Sequence, residues 1–299
     1  MKNIFLVMLI IFSFTTSFAE DVFTNEVVKS TALTQSLFML EGAGGNITAL
    51  IGEDGVLLVD DDFAQMADKL VTKLKELGGG VPRYIINTHF HYDHTGGNQV
   101  FGKTATIIAT TEVRARLMSE QTLWKKQHPA IPVIGFPSLT FDQSLSLHTN
   151  NQDIRIVHFA HGHTDGDTVV FFNQGKVVSM GDLYFSGMYP IFHPEHKGRL
   201  DGVVKNLKLI LNQISSETQI VPGHGPLSNK AELQKYYEMI LDSIKTVRQG
   251  IKKGLILKQI QNKGINKKWE SFSHGYLTTE KWIALIYSDL FPVIISEAS

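Results

Sequence analysis

Directly behind a short apolar segment, residues 84–87, the chain sets four metal-binding side chains within six residues, in the run His89-Phe90-His91-Tyr92-Asp93-His94. Donors two positions apart on an extended or tightly turning segment point the same way, so His89 and His91 can grip one ion together. Asp93 and His94 follow and can serve a second ion close by. Gly96 and Gly97 then allow a sharp backbone turn into the next element. With twelve histidines in the chain, an isolated His-x-His pair would arise by chance. A pair extended by Asp-His and placed at the end of a buried strand reads as a site.

The rest of the chain supplies a frame for that strand. Residues 37–40, 47–51 and 56–59 are short apolar segments divided by Gly42, Gly44, Gly45 and the turn Glu53-Asp54-Gly55, the pattern of a strand meander. From 63 to 77 the residues Phe63, Met66, Ala67, Leu70, Leu74 and Leu77 keep helical spacing, and Gly78-Gly79-Gly80 ends the helix. A strand over 106–109 and a helix over 111–124 are expected next, then an aperiodic loop through Pro129, Pro132 and Pro137. Further strands are expected at 139–147, 154–159, 168–172 and 177–180, with turns at Asn150-Asn151 and Asn173-Gln174-Gly175. A helix over 202–213, a strand over 219–221 and mostly helix from 229 complete the chain. Two groups of strands with helices inserted and appended predict an α+β chain of two sheets packed face to face, helices outside. No tandem repeat, low-complexity tract or Ser/Pro-rich linker divides it, so 20–299 reads as one domain with a core over about 37–227 and a helical C-terminal extension over about 229–299.

Residues 1–19 differ from the remainder. Lys2 and Asn3 precede an apolar run over 4–12, and a small-residue stretch ends in Ser17-Phe18-Ala19, the signature of a cleaved secretory signal peptide. The run is well short of the roughly 20 residues that cross a bilayer. Export to the periplasm or medium follows, with no membrane attachment after cleavage. The formal charge is −1, and nothing in that balance favours a nucleic-acid partner. Cysteine is absent, which excludes disulfides, thiolate ligands, a Cys nucleophile and an N-terminal lipid anchor.

The run 89–94 resembles the His-x-His-x-Asp-His signature of the metallo-β-lactamase superfamily. The remaining segments of that signature follow in order: Gly162-His163-Thr164, then Gly181-Asp182 behind the strand at 177–180, then Pro222-Gly223-His224-Gly225. The resemblance spans about 37–227 and implies a four-layer αβ/βα sandwich with a metal pair at one edge of the sheets. It further implies that His89, His91 and His163 hold one metal, that Asp93, His94 and His224 hold the other, and that Asp182 bridges them. Nitrogen and oxygen donors without sulfur suit two Zn²⁺ ions, and manganese or iron would accept the same set.

Two cations about 4 Å apart would bring a shared water toward ionisation at neutral pH and polarise a carbonyl oxygen. Asp93 is the expected catalytic residue, orienting the hydroxide and relaying a proton to the leaving group. The reaction class is hydrolysis of a small-molecule amide, lactam, ester, lactone or thioester. Export argues against intracellular thioester hydrolysis and RNA processing. Efficient β-lactam hydrolysis is in doubt, because no cysteine is available as a second-metal ligand and Leu183, Tyr184 and Phe185, not a cation, follow Asp182. A single-iron dioxygenase on the same scaffold and a non-catalytic metal-binding protein are the alternatives. Oligomeric state is not legible.

Among other residues, His161 reads as a second layer around the site or as core, and His128, His148, His158 and His274 as surface or packing residues. His193 and His196 stand between substrate contact and surface. Asp165 and Asp167 read as turn caps before ligand-orienting groups. Tyr92, Phe185, Tyr189 and Phe192, with the proline-rich stretch 128–137, are candidates for an apolar pocket wall.

Overall fold

The structure is a computed structural model that describes residues 23–123 and 126–298, with side chains described as far as residue 292. The expected signal peptide lies outside the described residues. No helix among them is long and apolar enough to cross a membrane.

A seven-stranded sheet contains β1 (Lys29–Ala32), β2 (Leu37–Glu41), β3 (Ile47–Gly52), β4 (Gly55–Val59), β5 (Pro82–Ile86), β6 (Thr106–Thr110) and, past a separate β7–β8 hairpin (Gln121–Leu123 and Lys126–His128), β9 (Leu139–Phe141). The second, six-stranded sheet is β10 (Ser144–Thr149), β11 (Gln152–His158), β12 (Thr168–Phe172), β13 (Val177–Ser179), β14 (Gln219–Val221) and β15 (Ser228–Asn229). The meander β1–β4 is antiparallel, whereas β4, β5, β6 and β9 run parallel, as do β13 and β14. Helices α1 (Ala67–Glu76), α2 (Tyr92–Thr95), α3 (Asn98–Phe101) and α4 (Thr111–Leu117) belong to the first half of the chain. Helices α5 (Leu200–Leu211), α6 (Lys230–Lys252), α7 (Leu257–Lys263) and α8 (Thr279–Ala298) belong to the second.

Strand periodicity distributes the apolar residues between layers. In β4, Leu57 and Val59 face the space between the sheets while Val56 and Leu58 meet α1; Ile86 and Ile85 in β5, and Ile108 and Ile107 in β6, divide the same way. In β12, Val170 and Phe172 point into the inter-sheet core, and Val169 and Phe171 point outward to α5 and α6. The result is the four-layer αβ/βα sandwich that the sequence implies.

Three expectations change. The helix expected over 111–124 stops at Leu117, and the chain turns into the β7–β8 hairpin, which buries Leu123 against Phe90 and Val113. Trp124 lies outside the described residues. The strand expected over 139–147 is two strands: β9 extends the first sheet beside β6 and β10 opens the second beside β11, with the crossing between sheets at Asp142-Gln143. The stretch 128–137 is not wholly irregular, since it holds part of β8 and a short 3-10 turn at Val133–Gly135. The turn at Asn150-Asn151 is as expected, with both residues at positive φ (51° and 57°), as a two-residue hairpin loop requires.

Candidate metal centre

The parallel pairs β4–β5 and β13–β14 bring the ends of four strands to one edge of the sandwich, and the site is built on the residues that leave them. His89 follows β5, Asp182 follows β13 in a 3-10 turn (Gly181–Leu183), and His224 follows β14 behind Pro222 and Gly223. His91 precedes α2, whose first turn carries Asp93 and His94. His163 arrives from the loop between β11 and β12, where the buried Asp167 carboxyl accepts hydrogen bonds from Thr164 N (3.0 Å) and Thr164 Oγ1 (2.6 Å) and so ties down the turn.

All seven sequence-derived positions come together, and they do so in two groups. Donor atoms of His89, His91, His163 and Asp182 lie within 4.8 Å of one another, as do those of Asp93, His94 and His224. Asp182 stands between them. Its Oδ2 is 3.8 Å from His89 Nε2 and 3.4 Å from His163 Nε2, while its Oδ1 is 3.2 Å from His94 Nε2 and 3.5 Å from His224 Nε2. Asp93 Oδ2 is 3.2 Å from His224 Nε2 and is the more open carboxylate of the two.

The donors fit a pair of cations. His89 Nε2 is buried without a hydrogen-bond partner. His163 Nε2 faces His91 Nδ1 at 2.9 Å, and His94 Nε2 faces His224 Nε2 at 3.3 Å. These spacings resemble the edge of a tetrahedron whose metal–ligand bonds are about 2.0–2.1 Å. Burial, then the neighbouring imidazoles, holds His89 and His91 well below the usual histidine range, and His163 is lowered to about 4, chiefly by burial. All three are therefore neutral, ligand-ready imidazoles at neutral pH. Burial works against the charged form of Asp182, but the neighbouring imidazoles, His224 and His94 foremost, keep its pKa well below the carboxylate range.

Outer contacts fix the rings. His94 Nδ1 is 2.8 Å from Asp60 Oδ2, His89 Nδ1 is 3.1 Å from Thr88 Oγ1, and His163 Nδ1 is 2.8 Å from the Ile191 carbonyl. Tyr276, from the connection before α8, places its hydroxyl 3.1 Å from His224 Nδ1. Sequence reasoning passed over two of these partners. Tyr276 left no signal. Asp60 did: it opens the run Asp60-Asp61-Asp62, all buried, directly behind an apolar strand. Three acids in such a place call for internal partners, and every carboxylate oxygen of the run except Asp61 Oδ2 has one. Asp60 also accepts from Thr88 N (2.7 Å), Asp61 from Gly97 N (3.0 Å) and Asp62 from Ala43 N (3.0 Å).

Other expectations are corrected or resolved. His161 is not part of the core; it is exposed, with Nδ1 3.1 Å from the Lys197 carbonyl. His193 and His196 are both buried, so neither is a surface residue, and donor atoms of His91, His193 and His196 lie within 4.8 Å of one another. Asp165 pairs with Arg116 at 2.6 Å. A cavity of about 370 Å³ opens over Asp93, Asp182 and His224, with His193 and, unexpectedly, His128 on its lining. Tyr92 and Phe185 also line it, whereas Tyr189 and Phe192 are buried in the core beneath the second sheet.

A profile of the metallo-beta-lactamase superfamily matches residues 40–226. A hydroxyacylglutathione hydrolase from Pelagibacter ubique is 29% identical over 143 residues, covering 48% of this chain and 51% of that protein. An N-acyl homoserine lactonase from Bacillus thuringiensis is 41% identical over 56 residues, 18% of this chain and 22% of that protein. The chain thus spans about half the length of the first of these relatives and less of the second. Among solved structures, a metallo-beta-lactamase from Pontibacter korlensis superposes with TM-score 0.60 at 16% identity, over 72% of this chain and 99% of that one. A stereoselective inverting sec-alkylsulfatase from Pseudomonas sp. superposes with TM-score 0.69 at 13% identity, over 87% of this chain and 50% of that one. Identities this low speak for the fold alone. Since the profile covers both strand groups and all seven clustered donors, the chain belongs to the metallo-beta-lactamase superfamily.

Proposed function

We propose that the protein is an exported hydrolase of a small carbonyl compound, an ester, lactone, lactam or amide, working with two zinc ions. The observation that carries this reading is the Asp182 carboxylate, whose two oxygens each face a separate group of imidazole nitrogens at 3.2–3.8 Å. His89, His91 and His163 would hold one ion, Asp93, His94 and His224 the other, with Asp182 between. Bound there, such a pair supplies an ionisable water near neutral pH and a Lewis acid for a carbonyl oxygen. Asp93, at the cavity and only partly buried, is placed to orient the attacking group and to pass a proton to the leaving group. The relatives named as a hydroxyacylglutathione hydrolase and a homoserine lactonase support hydrolysis at a carbonyl, and the leader-like residues 1–19 support export.

The test is metal analysis of the purified protein, together with turnover of chromogenic lactams, lactones, esters and phosphodiesters. Two zinc equivalents with chelator-sensitive hydrolysis of a carbonyl substrate are expected. Asp93→Ala and His94→Ala should each cut turnover by about a hundredfold or more with the fold retained. Unchanged turnover in either variant, or one iron with oxygen uptake and no hydrolysis, overturns the proposal.

A further inference from the structure

Apart from its two carboxylates and five histidines, among them His128 and His193, the cavity is walled mainly by Phe63, Tyr92, Leu123, Phe185, Ile191 and Tyr276. These six come from separate parts of the chain, and their rings brace one another. Phe63 and Tyr92 lie 5.8 Å apart, Phe185 and Tyr276 6.2 Å, and Phe185 stacks on the His224 imidazole at 5.5 Å with an interplanar angle of 12°. The wall is therefore preformed, and it is tied to the candidate ligands through His224 and the Tyr276 hydroxyl. No lysine or arginine is among the described residues that line the cavity. Arg116 is turned away from it, forked onto Asp165 at 2.6 and 2.7 Å with its guanidinium over the Phe90 ring. A substrate whose carbonyl is held by the cations that Asp93 and Asp182 would bind would lay the remainder of its body on carbon. Among the described lining residues, an anionic group there would find no lysine or arginine in return for its lost hydration.

We infer that the site takes substrates whose body, beyond the reacting carbonyl, is uncharged and apolar: aliphatic or aryl esters or lactones, in preference to compounds with a distal carboxylate. This rests on the carbonyl-hydrolase reading above. Each methylene laid on the wall adds roughly fourfold to kcat/KM until the cavity is filled, the equivalent of about 0.8 kcal/mol per buried methylene.

The experiment uses the zinc-loaded protein and pairs of p-nitrophenyl esters of equal chain length, one ending in methyl and the other in carboxylate. The methyl series should rise with chain length as stated, and each carboxylate partner should be slower in kcat/KM by about a hundredfold. Leu123→Lys should narrow that gap by about tenfold or more, and Phe63→Lys serves if the first variant does not fold. Equal or faster turnover of the carboxylate esters overturns the inference while leaving the hydrolase reading intact. So does a folded lysine variant whose selectivity is unchanged. No hydrolysis of any ester, lactone or amide by the fully loaded protein overturns the hydrolase reading, and this inference with it.

Discussion

The Tyr276 hydroxyl, 3.1 Å from His224 Nδ1, leaves the other ring nitrogen of that histidine facing Asp93 and Asp182. A contact of this kind fixes ring orientation and raises the affinity of the bound metal. Tyr276→Phe keeps the ring in the wall and removes only the hydroxyl. It should weaken retention of one of the two proposed metal ions by about tenfold and leave the other unchanged, as measured by competition with a chromogenic chelator. Equal weakening of both ions, or of neither, would remove Tyr276 from that role. His196 makes a separate prediction about pH. Burial, then the nearby Arg116, lowers its pKa from 6.5 to about 4. Between those values the folded chain binds fewer protons than the unfolded chain, so the contribution to stability is complete above pH 6.5 and is lost as the pH falls through 4. His196→Gln should therefore flatten the acid limb of the stability curve by about 1–2 kcal/mol after allowance for solvent screening, measured by denaturant unfolding across that range.

At the scale of elements, the site depends on loops being brought together by parallel strand pairing. Gly45, between β2 and β3, is where the first meander touches it. Its N–H donates to the Asp93 carbonyl at 2.9 Å, and a Cβ at this position would stand 2.1 Å from His94 Cε1. Gly45→Ala must displace the His94 ring, so for the proposed two-metal centre the metal content should fall from two equivalents toward one while the circular dichroism spectrum stays that of the parent; a variant that keeps both ions would show that the loop can yield. The same dependence on distant contacts separates what was legible in the sequence from what was not. Residues 89–94 could be read as a site because four of the six positions that follow the strand are metal-binding side chains adjacent in sequence, so their chemistry is carried locally. Asp60 and Tyr276 act on histidines 34 and 52 residues away, a distance no local pattern spans. Strand alternation over 56–59 was readable for a similar reason: each residue's layer is set by its parity. The division of 139–147 was not, because Leu139, Phe141, Leu145 and Leu147 keep one alternation while the chain changes sheets beneath it. The helix over 111–124 fails at Leu117 because Leu123 is buried against Phe90, a partner from the site loop itself.

Across the whole molecule, α6, α7 and α8 are packed on the outer face of the second sheet and share one core with it. Tyr236, Met239, Ile260, Trp282 and Ile286 meet Val169, Phe171, Val178 and Phe185 in a single cluster. The segment that follows Asp182 is joined to these helices: Tyr189 stacks on Trp282 with ring centroids 5.8 Å apart, and its hydroxyl donates to the Trp269 carbonyl at 2.9 Å. The C-terminal helices thus bear on the site twice, through Tyr189 in the segment that follows Asp182 and through Tyr276 beside His224. Trp282 is fully buried, so Trp282→Ala should leave a cavity and cost about 3–5 kcal/mol, read as a lower denaturation midpoint at unchanged slope. If the helices also hold the site in register, the same variant, still folded in the absence of denaturant, should release one of the proposed metal ions several-fold more readily than the parent. A chain that loses stability yet keeps both ions with parental affinity would assign these helices to the core alone and leave His224 to be positioned by β14 and Pro222.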